Sequence, residues 1–167
     1  MPTALTTERL SLGPWHDDDL DDYARMVFER DPRAAAAPRD GGPTRDTMRA
    51  RLARQQTAPA STGIGLFVIR VNGRFVGYCG LVLGRSNLDE PELAYELLRA
   101  EHGKGYATEA ARAVVEAAAG TGRARLWARV RLWNDASFGV LEKVGFSSCG
   151  RVTTDDFGDS AWWTREL

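Results

Sequence analysis

Residues 92–110 read ELAYELLRAEHGKGYATEA, and a change of period inside that stretch decides the fold. Glu92, Ala94 and Glu96 alternate with Leu93, Tyr95 and Leu97, the two-residue repeat of a strand. Further on, Ala107, Ala111, Val114, Val115 and Ala118 share one face at helical spacing, and Gly120 and Gly122 end the run. Between the two patterns lies HGKG, residues 102–105. A strand that passes through a glycine-containing loop into a helix leaves consecutive backbone N–H groups without partners. Such a helix start binds anions, and the helix dipole adds to the attraction. Glycine matters there because a Cβ holds a pyrophosphate away from the backbone. Lys104 and Arg99 add positive charge. A plain strand-to-helix turn, with glycine only relieving strain, accounts for the same residues.

Upstream, LFVIRV and RFVGYCGLVL flank Asn72-Gly73, a dipeptide suited to the positive φ angles of a two-residue hairpin turn. Residues 8–12 (ERLSL) alternate as a first strand. HDDDLDDYARMVFE gathers acids ahead of Tyr23, Met26 and Val27, which suits the positive end of a helix starting near Asp17. Residues 31–63 are the least regular, with a helix over 44–56 and proline and glycine at both ends. Downstream, Leu126, Ala128, Val130 and Leu132 mark a strand. Phe138, Leu141 and Val144 mark a short helix stopped by Gly145. The tail, with Trp162 and Trp163, reads as a closing hairpin whose tryptophans belong to the core. The order of elements gives an α/β (α+β) fold, one domain over residues 1–167.

Composition narrows the function. A chain of 167 residues with 43 % hydrophobic and 27 % charged residues is an ordinary globular protein. A net charge of −1 gives no basic footprint for nucleic acid. No apolar run reaches the ~20 residues that cross a bilayer, and MPTALTTERLSL lacks the features of a secretory signal, so the expected compartment is the cytoplasm. Cys79 and Cys149 are expected as buried free thiols, and with only His16 and His102 no metal site is expected.

HGKGYATEA resembles the acetyl-CoA pyrophosphate loop of the GNAT acetyltransferase superfamily, Q/R-x-x-G-x-G/A, with Gly105 and Ala107 on the two small-residue positions. NDASFGVLEKVGF, residues 134–146, is similar to the N-x-x-S…LEK-x-GF segment of the same superfamily. TERLSL, the hairpin with Gly77 and Gly80, and ELAY resemble the branch that holds the ribosomal-protein alanine N-acetyltransferases. Two departures stand out. His102 replaces the usual Gln or Arg, and Leu141 stands where many relatives carry a tyrosine acid.

The resemblance implies a mixed sheet, flanked by helices, that splays open between its fourth and fifth strands. It also implies an acetyl-CoA-dependent N-acetyltransferase, and no metal. The pantetheine arm pairs with backbone at Glu96, Leu97 and Leu98. The phosphates sit on His102, Gly103, Lys104, Gly105, Tyr106, Ala107 and Thr108. The thioester lies near Asn134 and Ser137. Glu92 is the implied general base, against a surface glutamate paired with arginine. Ser137 is the implied donor to the departing thiolate, against a serine that only caps a helix turn.

The expected acceptor is the α-amine of a peptide or protein N-terminus. The alternatives are a small amine (amino acid, antibiotic or metabolite) and a non-catalytic acyl-CoA-binding module. Acceptor contacts are expected from residues 31–63, Arg33 and Arg39 among them, and from the turn over 84–91. Neither nucleic acid nor membrane is an expected partner, and the chain is expected as a monomer or homodimer.

Overall fold

Asn72, at φ 50°, and Gly73, at φ 80°, close the tight turn that the dipeptide foretells, and Val71 pairs directly with Arg74 across it. That hairpin, β3 (Leu66–Val71) and β4 (Arg74–Val82), is the centre from which the sheet grows. The computed structural model describes residues 1–31, 33 and 43–167. Its other strands are β1 (Leu5–Thr6), β2 (Ser11–Gly13), β5 (Glu92–Leu97), β6 (Arg125–Arg131), β7 (Ser147–Asp155) and β8 (Gly158–Glu166). They form one eight-stranded sheet in the order β1-β2-β3-β4-β5-β6-β8-β7. Every pairing is antiparallel except β5 with β6. Among the described residues four α-helices complete the fold: α1 (Leu20–Phe28), α2 (Arg45–Thr62), α3 (Tyr106–Ala119) and α4 (Asp135–Lys143).

Alternation along the strands divides the core between two faces. Phe67, Ile69, Val76, Cys79 and Leu93 pack with Ala111, Val114 and Val115 of α3 and Leu141 of α4. Leu66, Val68 and Phe75 pack on the other face with Trp15, Tyr23, Met26 and Val27, and with Met48 and Leu52 of α2. Trp162 is buried at 2 % exposure and sets its ring edge-on to Trp127 at 6.0 Å, while Trp163 stacks on Phe138 at 5.5 Å. Both tryptophans thus serve packing. The acids ahead of α1 divide their work: Asp19, buried, accepts from the His16 N–H at 2.8 Å and from Arg70 at 2.7 and 2.8 Å.

Three expectations need correction. The first strand is not continuous over residues 8–12. Thr7 N–H bonds to the Leu10 carbonyl at 2.9 Å, a turn that separates β1 from β2 and sends Arg9 toward α3. The split adds one to the strand count, so the splay expected between the fourth and fifth strands counted from sequence is the parting of β5 and β6, the same two segments. The second helix does not stop at Gln56 but runs through Pro59 to Thr62. A proline inside a helix removes an N–H bond and crowds the preceding turn. Here its ring lies over Gly65, where an added Cβ would approach Pro59 Cγ to 2.7 Å. Gly63, left-handed at φ 71°, ends the helix with its N–H on the Pro59 carbonyl. Lastly, Cys79 is buried but Cys149, on the edge strand β7, is exposed. Among the described residues no helix is long and apolar enough to cross a membrane.

Trp162 carries the largest buried side chain of the sheet's far half. Trp162→Ala is expected to cost about 3–5 kcal/mol, the usual range for emptying a buried aromatic site. Val152→Ala, at a side chain 53 % exposed, should change stability little. Urea unfolding of both variants checks the contrast. Similar midpoints for the two would show that the Trp162 site collapses without a cavity.

Candidate functional site

The loop between β5 and α3 has the geometry of an anion cradle. Gly103 and Gly105 both take left-handed backbone angles, φ 76° and 83°, and Gly105 is the N-cap of α3. Among the described residues no acceptor meets the backbone N–H groups of Gly103, Lys104, Gly105, Tyr106, Ala107 and Thr108; the first helical bond runs from Glu109 N–H to the Gly105 carbonyl. A Cβ on Gly103 would meet nothing within 4 Å, so that side of the loop is open. Six unmet donors around left-handed glycines at a helix start suit a pyrophosphate.

Neighbouring charges hold the loop rather than fill it. Glu101, buried, accepts from Arg74 at 2.6 Å and from Lys104 at 3.0 Å. Those bonds, Arg74 first, lower the Glu101 carboxyl below its usual range. Lys104 is thereby drawn back to the loop's base. On the other flank Arg9 bonds Glu109 at 2.7 Å and the Lys104 carbonyl at 2.9 Å, and its guanidinium lies 5.0 Å from the centre of the Tyr106 ring. Thr7 Oγ1 and the Arg9 N–H also donate to Glu109. The turn that interrupts the first strand is thus what fastens the N-terminal segment to α3. Sequence reading missed this, because Arg9 and Glu109 are a hundred residues apart.

Beside the loop, the sheet parts. β5 and β6 share a single register pair, Glu92 with Trp127, supported by Trp127 N–H on the Pro91 carbonyl at 3.0 Å. Beyond it the β5 backbone faces a gap. Leu98 N–H bonds back to the Val76 carbonyl on β4, so by alternation Glu96 also faces β4 and Leu97 faces the gap. The Leu97 carbonyl is met there by His102 Nε2 at 3.1 Å, which places the His102 ring at the strand edge. Of the three residues expected to pair with a pantetheine arm, Leu97 alone presents its backbone to the gap. The Glu96 side chain lies on the opposite face of the sheet. It receives Arg30 at 2.6 and 2.5 Å and the Tyr78 hydroxyl at 2.8 Å. Burial first, then the Glu96 carboxylate, push the Tyr78 phenol well above its usual value.

Across the gap stands α4. Asn134 is its N-cap, taking the Ser137 N–H on Oδ1 at 3.3 Å. The capping role thus belongs to Asn134, and the Ser137 hydroxyl has no hydrogen-bond partner among the described residues. Tyr95, from β5, reaches over to donate to the Ser137 carbonyl at 3.1 Å, and burial pushes its phenol up. Leu141, which the resemblance sets where a tyrosine acid was expected, is fully buried in the core.

On the α1 and α2 face, Glu92 is 5 % exposed beneath the turn at Gly84. One carboxylate oxygen accepts the Arg85 N–H in a short bond, and the other lies 4.0 Å from Arg129 Nε. Arg33 covers the Trp133 ring at 4.3 Å on this side, and an open cleft follows, lined by Phe28, Glu29, Arg30, Arg99 and Ala100. Arg39 lies outside the described residues. Among those residues no three His, Cys, Asp or Glu side chains gather as a metal site.

The family model described as an acetyltransferase (GNAT) domain matches residues 9–147. The chain belongs to the GNAT acetyltransferase family. Membership makes it an acyltransferase domain with acetyl-CoA as donor, and the N–H cradle beside a parted sheet fits that molecule's pyrophosphate and pantetheine. Among solved structures, an acetyltransferase from Agrobacterium tumefaciens is 27 % identical, with a TM-score of 0.79 over 100 % of this chain and 95 % of that one. RimJ from Mycobacterium smegmatis, solved with CoA-disulfide, is 22 % identical, with a TM-score of 0.76 over 95 % of this chain and 82 % of that one. The aminoglycoside acetyltransferase AAC(6')-Ib, solved with coenzyme A, is 17 % identical, with a TM-score of 0.73 and 94 % of each chain covered. No curated protein matches the sequence significantly.

The tie from Glu101 to the GNAT loop has a pH signature. A carboxyl whose folded pKa is depressed adds stability above its unfolded pKa and loses it as pH falls through the folded one. Glu101→Gln should therefore lower the melting temperature at pH 7, with the difference from the parent closing below about pH 4. Parallel melting curves across that range measure it. A gap that stays constant with pH would mean that the lost contact is steric rather than electrostatic.

Proposed function

We propose that this GNAT domain transfers the acetyl group of acetyl-CoA to the α-amine of a peptide or protein N-terminus, by direct attack in a ternary complex. The observation that carries the reading is the row of six unmet N–H groups over residues 103–108, set beside the gap between β5 and β6. The row takes the donor's phosphates. Leu97 offers the backbone edge along which an amide-bearing arm pairs as an added strand. Asn134 and Ser137 border the same gap from α4, where the thioester is then held.

The reaction needs a neutral amine, a positioned carbonyl and a proton for the leaving thiolate. The amine lone pair forms the new C–N bond, the C–S bond breaks, and the amine loses a proton. Glu92 takes that proton, directly or through water, from the face opposite the α3 and α4 layer. Ser137, whose hydroxyl meets no other group among the described residues, delivers a proton to the sulfur. Leu141 leaves no tyrosine for that task, and a thiol with a pKa near 8.5 departs without much assistance. An α-amine with a pKa of about 7.7–8.0 is about a tenth neutral at pH 7, whereas a lysine amine near 10.4 is almost wholly protonated. A site with one buried carboxylate suits the former. RimJ and AAC(6')-Ib, as different as they are in name, match with similar TM-scores, so the acceptor is argued from chemistry and not from likeness.

Donor binding is checked by thermal shift. Acetyl-CoA at a hundred times its dissociation constant should add about 2.7 kcal/mol of stability. Gly105→Glu, which sets a side chain and a negative charge in the cradle at φ 83°, should abolish the shift. A parent protein indifferent to millimolar acetyl-CoA would overturn the donor assignment.

Acceptor and mechanism are checked by thiol release with short peptides of varied first residue. Glu92→Gln should lower turnover at pH 7 by about a hundredfold or more, with acetyl-CoA binding intact and part of the rate recovered at higher pH. A change below threefold with an unaltered pH profile would leave Glu92 a structural group.

A further inference from the structure

Beyond Glu92 and Trp127, the first β6 residue on the α1 and α2 face is Arg129, so it lines the gap where the strands diverge. Its surroundings are unusual. Arg129 Nη1 is shielded from solvent and has no hydrogen-bond partner among the described residues. The nearest carboxylate to it, Asp155, stands 3.7 Å away, outside hydrogen-bond reach. Asp155 is already engaged by Arg131 at 2.8 Å, by Arg85 at 3.1 Å and by the Phe157 N–H at 3.0 Å. Glu92 has given one oxygen to the Arg85 N–H. Three guanidiniums, of Arg85, Arg129 and Arg131, thus share two carboxylates, Glu92 and Asp155. A buried donor left unmet costs stability, and folded chains keep few of them outside functional sites. A second buried, unmet donor, Trp133 Nε1, lies further along the same segment.

We propose that Arg129 and Glu92 together form a subsite for an α-amino carbonyl group, Glu92 receiving the amine and Arg129 Nη1 donating to the oxygen on the adjacent carbon. This rests on the amine-acetylation reading above and narrows it. A carboxylate beside an unmet guanidinium complements an amine beside a carbonyl, the pattern of a peptide N-terminus or an amino acid. The surplus positive charge also favours the neutral over the protonated amine, and it repels acceptors that carry several ammonium groups. Amines without an adjacent oxygen leave Nη1 unmet and gain nothing from it.

The test compares alanine amide with isopropylamine, in which a methyl group replaces the carboxamide, in thiol-release assays with acetyl-CoA. At equal concentrations of neutral amine the parent should favour alanine amide by about tenfold or more, the scale of one charge-assisted hydrogen bond. Arg129→Met should remove most of that preference, and Arg129→Lys should keep part of it, both with the acetyl-CoA thermal shift unchanged. Ratios between two acceptors cancel any general loss of folded enzyme. If Arg129→Met does not fold, the parent's own preference and the lysine variant still decide. Turnover of both amines with no preference in the parent, or a preference untouched by Arg129→Met, overturns the Arg129 assignment alone. Failure of every amine to release thiol overturns this assignment together with the acetylation reading.

Discussion

The parting of β5 and β6 after one shared pair is the constraint on which the rest of the molecule depends. Backbone N–H and carbonyl groups inside a sheet need partners, so strands that diverge create an edge in the middle of the domain. The fold contains that edge rather than closing it. β8 enters between β6 and β7 and pairs with β6 along its length, which keeps the far half of the sheet rigid. β4 holds β5 in an unbroken ladder on the near side. The gap is therefore a fixed feature between two stiff halves. Its lower wall is the hydrophobic layer of α3 and α4, and the N-terminus of each of these helices opens toward it.

Side chains then join the halves around the gap. Tyr95 crosses from β5 to the first turn of α4, and His102 bends from the anion loop to the Leu97 carbonyl. Arg85 spans from the β4–β5 turn to Asp155 at the end of β7. Arg30 locks the end of α1 to Glu96. None of these ties adds much stability by itself where solvent reaches it. Their importance is positional, since each sets the distance between groups that belong to different elements.

Much of this was legible in the sequence, for identifiable reasons. The Asn72-Gly73 turn and the alternation in β3 to β5 are local signals, set by φ angles and by a two-residue period. The α3 start was readable because glycines followed by an apolar helical face leave few other conformations. The loop and the N-x-x-S block gave the family. What escaped reading was long-range. Pro59 reads as a stop until Gly65, which makes room for its ring, is known to sit beside it. The split of the first strand depends on Glu109, far along the chain. Glu92 was readable as a carboxylate on the strand that becomes β5, but its partners Arg85 and Arg129 come from other elements. Arg129 carried no signal at all, because it is one arginine of several alternating along β6. Ser137 was readable as the serine of the N-x-x-S block, yet its relation to Asn134 is visible only in the helix cap.

Gly84 sets a limit on how this face can diversify. At φ 54° it sits so close over Glu92 that a Cβ there would occupy the place of the carboxylate. The next residue supplies the N–H that Glu92 accepts. Drift in the β4–β5 connection is thus pinned at Gly84 and Arg85 and again at Glu90 and Pro91, which hold Trp127, and is freer between them, where Asn87 and its neighbours close a turn on themselves. A lineage exploring new acceptors can lengthen, shorten or rewrite that outer turn while the carboxylate beneath it stays in register.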